Sequence, residues 1–400
     1  MSDAMTPIER AYCVARDQAD PLGHFRERFH RPCGVIYLDG NSLGMMPEAV
    51  PSRIEAVLMR EWAEGLIRSW DDAGWWDLPL RVGAKIAPLI GAREGEVVAT
   101  DSTSVNLFKL LAAGLALRPG RRVILTDPGN FPTDLYIAEG MTRLIPGCEL
   151  RSVPLEEIAS ALDQSVAVVA LGHVDYRSAE ILDMPGITRA AHAAGALALW
   201  DLSHSAGAIA VDLAAAGVDL AVGCGYKYLN GGPGAPAYLY VRRAHQGKIR
   251  SPIAGWWGHA EPFAFASSYV AAPGIARMLC GTQPILSLAA LEAALEMWRE
   301  VDFALLEEKR TALGELFIAL VERFCPDLAL ASPRDPVRRG SHVSFRHPKG
   351  RAILQALRAQ GVIADFRTPD LLRFGIAPLY VGYADLFDAA ERLSRTLPRV

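Results

Sequence analysis

At 400 residues the chain exceeds one ordinary hydrophobic core, so two domains are expected. Its 51% hydrophobic and 22% charged residues fit a globular chain that stays in water and exclude a disordered one. A formal net charge of only −4, with no basic block, argues against nucleic acid or an anionic membrane as a partner.

In chain order, the first residues lack a basic stretch followed by an apolar core, so no secretory signal is expected. Asp39-Gly40-Asn41-Ser42-Leu43-Gly44 reads as a turn able to bring backbone donors near a carboxylate, or as a simple turn. Thr100 to Ser104 then precede a helix marked by apolar residues at 107, 108, 110 and 111. A hydroxyl-rich helix start is a natural phosphate cradle, because its free N–H groups and dipole favour anions; an ordinary N-cap is the plainer reading. Strands are expected at 122–126, 166–171, 196–200, 218–223 and 236–241, with a helix over 187–194 stopped by Gly195. The strand–helix–strand order predicts a parallel sheet with right-handed crossovers, and ligands gather at the carboxyl ends of such strands. Asp201 stands at one of those ends.

From Ile285 to about Cys325 the pattern is helical and free of proline through residue 324, predicting one long helix or two. Residues 340–400 alternate short strand and helix signals. The expected division is therefore an N-terminal segment over 1–45, a large α/β domain over 46–285, and a smaller α+β domain over 286–400. No apolar run reaches the roughly 18 residues of a membrane span. Cysteines at 13, 33, 148, 224, 280 and 325 form no C-x-x-C pair, so neither a metal site nor a disulfide framework is expected, and a reducing, cytoplasmic setting fits best.

Two runs carry the chemistry: Trp200-Asp201-Leu202-Ser203-His204-Ser205-Ala206-Gly207, and Tyr226-Lys227-Tyr228-Leu229-Asn230-Gly231-Gly232. A carboxylate at a strand end, with a lysine ahead of a glycine turn, is what pyridoxal 5'-phosphate requires. The carboxylate keeps the pyridine nitrogen protonated, so the ring becomes an electron sink, and the lysine amine carries the cofactor. An ordinary lysine titrates near pH 10.4, so only about one in 2,500 is a free amine at pH 7, and a working lysine needs this covalent use or a lowered pKa.

Other residues gather around that pair. His204 is placed to stack on or hydrogen-bond the cofactor. Phe131, in Asn130-Phe131-Pro132-Thr133-Asp134, offers a ring face and Asp134 a carboxylate. Arg373, in an apolar setting, suits a bidentate substrate carboxylate or a structural ion pair. Trp256-Trp257-Gly258-His259 and Gly281-Thr282-Gln283-Pro284 either wall an aromatic pocket or pack a core.

In this order the motifs resemble kynureninase of the bacterial type over nearly the whole chain. The carrying runs are Tyr37–Gly44, Leu66-Ile67-Arg68-Ser69-Trp70, Phe131–Asp134, Trp200–Gly207, Tyr226–Gly232, Gly255–His259, Gly281–Pro284 and Arg373-Phe374-Gly375. The resemblance implies a fold-type-I pyridoxal-phosphate enzyme, a homodimer with active sites at the subunit interface. It implies hydrolysis of L-kynurenine to anthranilate and L-alanine, in tryptophan catabolism, and leaves open the choice between kynurenine and its 3-hydroxy form. Lys227 would bear the cofactor, Asp201 would meet its ring nitrogen, and Thr103, Ser104, Tyr226 and Trp256 would lie around the phosphate. Phe131 would stack on the ring, with Asp134 and His204 lining it. Ser42 and Arg373 would hold the substrate carboxylate. Trp70 and Thr282 would meet its aromatic end, Thr282 from the neighbouring chain and also beside the cofactor. Tyr226 would be a general acid/base. Two positions depart from the family pattern: Gly172 and Gly225 stand where threonine is common. Rival readings are another fold-type-I enzyme, a cysteine desulfurase or aminotransferase, and a catalytically silent homologue acting as a binding protein.

Overall fold

The computed structural model of the chain describes residues 8–397. The strands in chain order are β1 (Ile36–Tyr37), β2 (Val97–Ala99), β3 (Val123–Thr126), β4 (Glu149–Ser152), β5 (Val166–Gly172), β6 (Leu197–Asp201), β7 (Leu220–Gly223), β8 (Tyr238–Val241), β9 (Ala329–Leu330), β10 (His342–Arg346), β11 (Val362–Ile363), β12 (Asp365–Arg367) and β13 (Leu371–Gly375). The chain divides into two compact units. The larger comprises Ala49–Tyr176 and Leu182–Met297; the smaller comprises residues up to Glu48, Arg177–Ile181 and the chain from Trp298 onward.

The larger unit is built on a seven-stranded sheet of order β2-β8-β7-β6-β5-β3-β4. Strands β3 to β7 run parallel, and β8 alone reverses direction between β7 and β2. The five expected strands all form, each within two residues of its predicted start and end. Their unbroken apolar runs are the mark of strands covered on both faces, and Val166 to Leu171 and Leu197 to Trp200 are all buried. Two strands of this sheet escaped the sequence reading. The three residues of β2 are too few to show a period, and β4 is an edge strand bearing Glu149 and Arg151, with no buried residue. The helix Thr103–Leu117 packs on the sheet through Gly114. A Cβ there would stand 2.7 Å from Val168 Cγ2, so the small residue sets the approach. Register places Gly172 opposite Asp201, and Asp201 opposite Val222, so the carboxyl ends of β5, β6 and β7 share one edge.

The helix Ile285–Leu295 belongs to this unit, not to the smaller one that the sequence pattern placed from residue 286. It lies against the helices Ala49–Ala56 and Leu78–Ile86, and Arg81 and Lys85 pair with its Glu292. The chain leaves the unit only after the short turn Glu296–Arg299 begins.

The smaller unit holds an antiparallel sheet of order β12-β13-β10-β9 and a parallel pair of β1 with β11. The helix Phe303–Phe324 follows Asp302, whose carboxylate accepts from the N–H groups of Ala304 and Leu305. The helix Arg10–Gln18 joins this unit through Asp17, which accepts from the N–H groups of Tyr383 and Ala384 at 2.7 and 3.0 Å. Asp17 thereby satisfies two orphan donors at the start of the helix Tyr383–Thr396. No helix among the described residues is long and apolar enough to cross a membrane. The architecture is thus α/β, a mostly parallel central sheet with helices plus a smaller α+β unit.

Candidate active site

In the larger unit, β7 ends at Gly223 and the chain turns through Cys224-Gly225-Tyr226-Lys227. The turn is closed by hydrogen bonds from Asn230 N to the Lys227 carbonyl and from Gly231 N to the Gly225 carbonyl, at 3.0 and 2.9 Å. Asn230 is left-handed at φ 59°, a conformation asparagine tolerates better than most residues. The turn presents Lys227 Nζ 3.0 Å from His204 Nε2. The rings of Phe131 and Tyr226 each lie 6.0 Å from the same nitrogen.

His204 arrives from the turn after β6, and that turn is pinned by Asp201. The carboxylate of Asp201 accepts from the Ser203 amide at 2.7 Å and the Ser203 hydroxyl at 2.6 Å. Asp134, buried on the first turn of the helix Pro132–Leu144, lies against Asp201. Burial, then the Asp201 charge, raise the Asp134 carboxyl well above the usual range, with Lys227 opposing. The Asp134–Asp201 pair and the Lys227 amine thus interact directly, a setting that favours a cationic ring nitrogen beside them. Burial, then Cys224 and Asp201, push the Tyr226 phenol upward, so it holds its proton at neutral pH.

The helix Thr103–Leu117 begins with Thr103 and Ser104. Ser102 caps it, its hydroxyl accepting from Val105 N at 3.3 Å, and leaves the amides of Thr103 and Ser104 without helical partners by their position. Behind this start, the fully buried Lys109 pairs with Asp101 and donates to the Met278 carbonyl at 2.8 Å. The Thr100 hydroxyl stands between Asp101 Oδ2 and Gln283 Oε1, at 3.0 and 2.9 Å. The loop bearing Thr282 is therefore tied to the helix start, while Thr282 itself is exposed. Trp70 meets Trp257 edge-on at 5.3 Å, and Trp257 stacks on Trp76 at 4.5 Å. Trp256 also contacts Trp76 and remains 39% exposed. Trp76, which the sequence reading did not single out, is part of this cluster.

In the smaller unit, Ser42 and Arg373 come together around a third residue, Asp365. Arg373 Nε donates to Asp365 Oδ1 at 2.7 Å, and its Nη2 pairs with Oδ2. The Ser42 hydroxyl donates to Asp365 Oδ2 at 2.7 Å and lies 3.3 Å from Arg373 Nη2. The structural ion pair weighed for Arg373 is therefore present. Burial pushes the Asp365 carboxyl up, but Arg373, Ser42 and Arg367 together outweigh it and the net shift is downward. Neighbouring Asp39 is raised to about 6 by burial and then by Asp365. Asp365 was missed because it faces Arg373 only through the β12–β13 register, which no local pattern announces.

The two glycine departures have different structural meanings. A Cβ on Gly225 would stand 2.4 Å from the Pro236 carbonyl oxygen and 2.8 Å from Leu291 Cδ2, so the backbone has closed over the space of a side chain. A Cβ on Gly172 would meet Asn130 Oδ1 at 3.2 Å.

The larger unit fits pyridoxal phosphate. Its unpartnered helix-start amides at Thr103 and Ser104 suit the phosphate. The exposed Phe131 face suits the ring, the Asp134–Asp201 pair the ring nitrogen, and Lys227 the aldehyde carbon.

Residues 306–393 match the family model described as the kynureninase C-terminal domain. The chain is 51% identical over 395 residues to the kynureninase of Pseudomonas fluorescens, covering 97% of this chain and 95% of the relative. It is 50% identical over 392 residues to that of Burkholderia pseudomallei strain 1106a, covering 96% and 94%. Among solved structures it is similar to a C-DES mutant with glycine covalently linked to its PLP cofactor, at TM-score 0.79 and 20% identity, covering 92% of this chain and 98% of the other. It is also similar to the apo cysteine desulfurase of Thermococcus onnurineus NA1, at TM-score 0.80 and 18% identity, covering 94% and 98%. At those identities the structures carry the fold, whereas near-full-length identity of about half carries the family: this chain belongs to the kynureninases.

Proposed function

We propose that the chain cleaves the Cβ–Cγ bond of L-kynurenine with one water, giving anthranilate and L-alanine, with pyridoxal 5'-phosphate as its cofactor. The carrying observation is Lys227 Nζ set 3.0 Å from His204 Nε2 beside the Asp201–Asp134 pair, in a member of this family. The bound cofactor supplies an electron sink for the negative charge that develops at Cα and then Cβ.

The chain's own residues do the rest. Lys227 anchors the cofactor, and once released its amine takes the substrate's α-proton. Asp201, oriented by Ser203, keeps a proton on the ring nitrogen. Thr103, Ser104, Tyr226 and Trp256 hold the phosphate, Phe131 and His204 orient the ring, and Thr282 lies beside it. Water adds across the side-chain carbonyl at Cγ; as the Cβ–Cγ bond breaks, Tyr226 donates its proton to Cβ and regains one from the Cγ hydroxyl, which becomes the anthranilate carboxyl. Ser42 and Arg373 bind the substrate carboxylate, while Trp70 and Thr282 meet the aromatic end. Exposure of Thr282 supports its use by a neighbouring copy, and we place the working form as a cytoplasmic homodimer. Desulfurase chemistry is disfavoured: Cys224 is buried with its thiol pushed up by that burial, the reverse of an activated nucleophile.

The test is an absorbance spectrum of the purified protein with pyridoxal phosphate, then L-kynurenine with product analysis. A visible band and equal amounts of anthranilate and alanine are expected, and Lys227→Ala should abolish both band and turnover. A band without these products refutes the substrate. No band in the parent refutes the role of Lys227.

A further inference from the structure

Asn130 sits one residue before Phe131, at a point where three strand and helix ends converge. Its Oδ1 accepts from the Phe131 amide at 2.8 Å and from the Gly172 amide at 3.2 Å. Its Nδ2 reaches Thr126 Oγ1 at 3.4 Å, and that hydroxyl donates to the Ala170 carbonyl at 2.8 Å. One side chain thus ties the end of β3, the end of β5 and the entry to the helix Pro132–Leu144.

Each tie bears on the cofactor site. Phe131 occupies the N-cap of that helix without a capping side chain, and Pro132 has no N–H. Asn130 is the side chain that holds the Phe131 amide, and so the ring that faces Lys227. Gly172 lies opposite Asp201 in the β5–β6 register, so the same oxygen also fixes the strand end beside that carboxylate. A Cβ at 172 would press on the Asn130 amide, 3.2 Å from Oδ1 and tighter than an ordinary contact.

We infer that Asn130 is a positioning residue that sets the Phe131 ring against the cofactor and the β5 end against Asp201, and that Gly172 gives its side-chain oxygen room. The inference rests on the cofactor reading above, and the parent's own visible band tests that reading separately. The experiment titrates the cofactor-free parent, Asn130→Ala, Asn130→Asp, Gly172→Ala and the double variant Asn130→Ala/Gly172→Ala with pyridoxal phosphate. It reads the dissociation constant, the visible circular dichroism per bound cofactor, and the unfolding temperature without cofactor. Asn130→Ala should weaken binding about tenfold, the scale of one net hydrogen bond, and reduce the dichroism. Asn130→Asp keeps the acceptor and should restore most of the dichroic signal. Gly172→Ala should weaken binding less, and should cost nothing further in the double variant, where the amide it crowds is gone. Parent-like binding and dichroism in Asn130→Ala would overturn the inference. So would additive losses in the double variant, or a deficit in Asn130→Asp equal to that of alanine. A fall in unfolding temperature with unchanged dichroism would likewise reduce Asn130 to a purely structural residue.

Discussion

Replacing Asp365 with alanine removes the carboxylate that meets the buried Arg373 guanidinium at two atoms. The Arg373 side chain is 1% exposed and that of Asp365 is 13% exposed. Asp365 accepts from Arg373 Nε, pairs with its Nη2, accepts from Ser42 at 2.7 Å, and pairs with the more exposed Arg367 at 2.8 Å. Removing one partner from a buried pair costs about 3–5 kcal/mol, because the remaining charge is uncompensated. The Arg367 contact is closer to the surface and adds about 0–1 kcal/mol. The guanidinium dominates, so D365A should lose about 4 kcal/mol of stability. In a D365A/R373M double variant the buried guanidinium is gone as well, and most of the loss should return, since apolar replacement of a buried pair is often neutral. Urea unfolding of the parent, both single variants and the double variant, followed by far-ultraviolet circular dichroism, measures the cycle. A D365A protein within about 1 kcal/mol of the parent, or a double variant as weak as D365A, refutes the reasoning. The pH dependence supplies a second check. Against the opposing effect of burial, Arg373, Ser42 and Arg367 together lower the folded-state pKa of Asp365, so the stability it contributes is present above the unfolded value near 3.9. It is lost as pH falls through the folded value, and the gap between parent and D365A should close below about pH 4.

Two further outcomes follow from the larger unit. Gly225→Thr, which restores the residue common in the family, should destabilise by at least about 1–3 kcal/mol without improving cofactor affinity, because its Cβ meets the Pro236 carbonyl; thermal unfolding and a cofactor titration check this, and a threonine variant as stable as the parent contradicts it. Asp134 has the opposite linkage to Asp365. Its folded pKa is raised, first by burial and then by Asp201, so the native state holds the proton more tightly than the unfolded chain and stability declines as pH rises from about 3.9 toward the folded value. Asp134→Asn should remove that decline and raise the neutral-pH stability of the cofactor-free protein while weakening cofactor binding; a steeper decline in the variant's pH–stability curve would contradict the assignment.

What the sequence determined by itself was local and chemical. The apolar runs of β5 and β6 announce strands buried on both faces, and the turn residues after Lys227 announce how the lysine is offered. Asp201 at a strand end and the hydroxyls ahead of Leu107 are legible for the same reason: each depends on a few neighbouring residues. The tertiary structure decided everything that depends on register or closure. The edge strand β4 has no buried side chain to mark it, and the reversed direction of β8 leaves no trace in its composition. The helix Ile285–Leu295 reads as the opening of a new domain until its packing against the helices Ala49–Ala56 and Leu78–Ile86 is seen. Asp365 meets Arg373 only because two short strands pair at one register. Asn130 reaches Gly172 only because β3 and β5 are neighbours in the sheet. Gly225 looks like a lost hydroxyl until Pro236 is found occupying its place. Strand propensity and turn chemistry are written over a few consecutive residues, whereas the pairing of polar groups across tens or hundreds of residues exists only once the core has fixed which strands lie side by side.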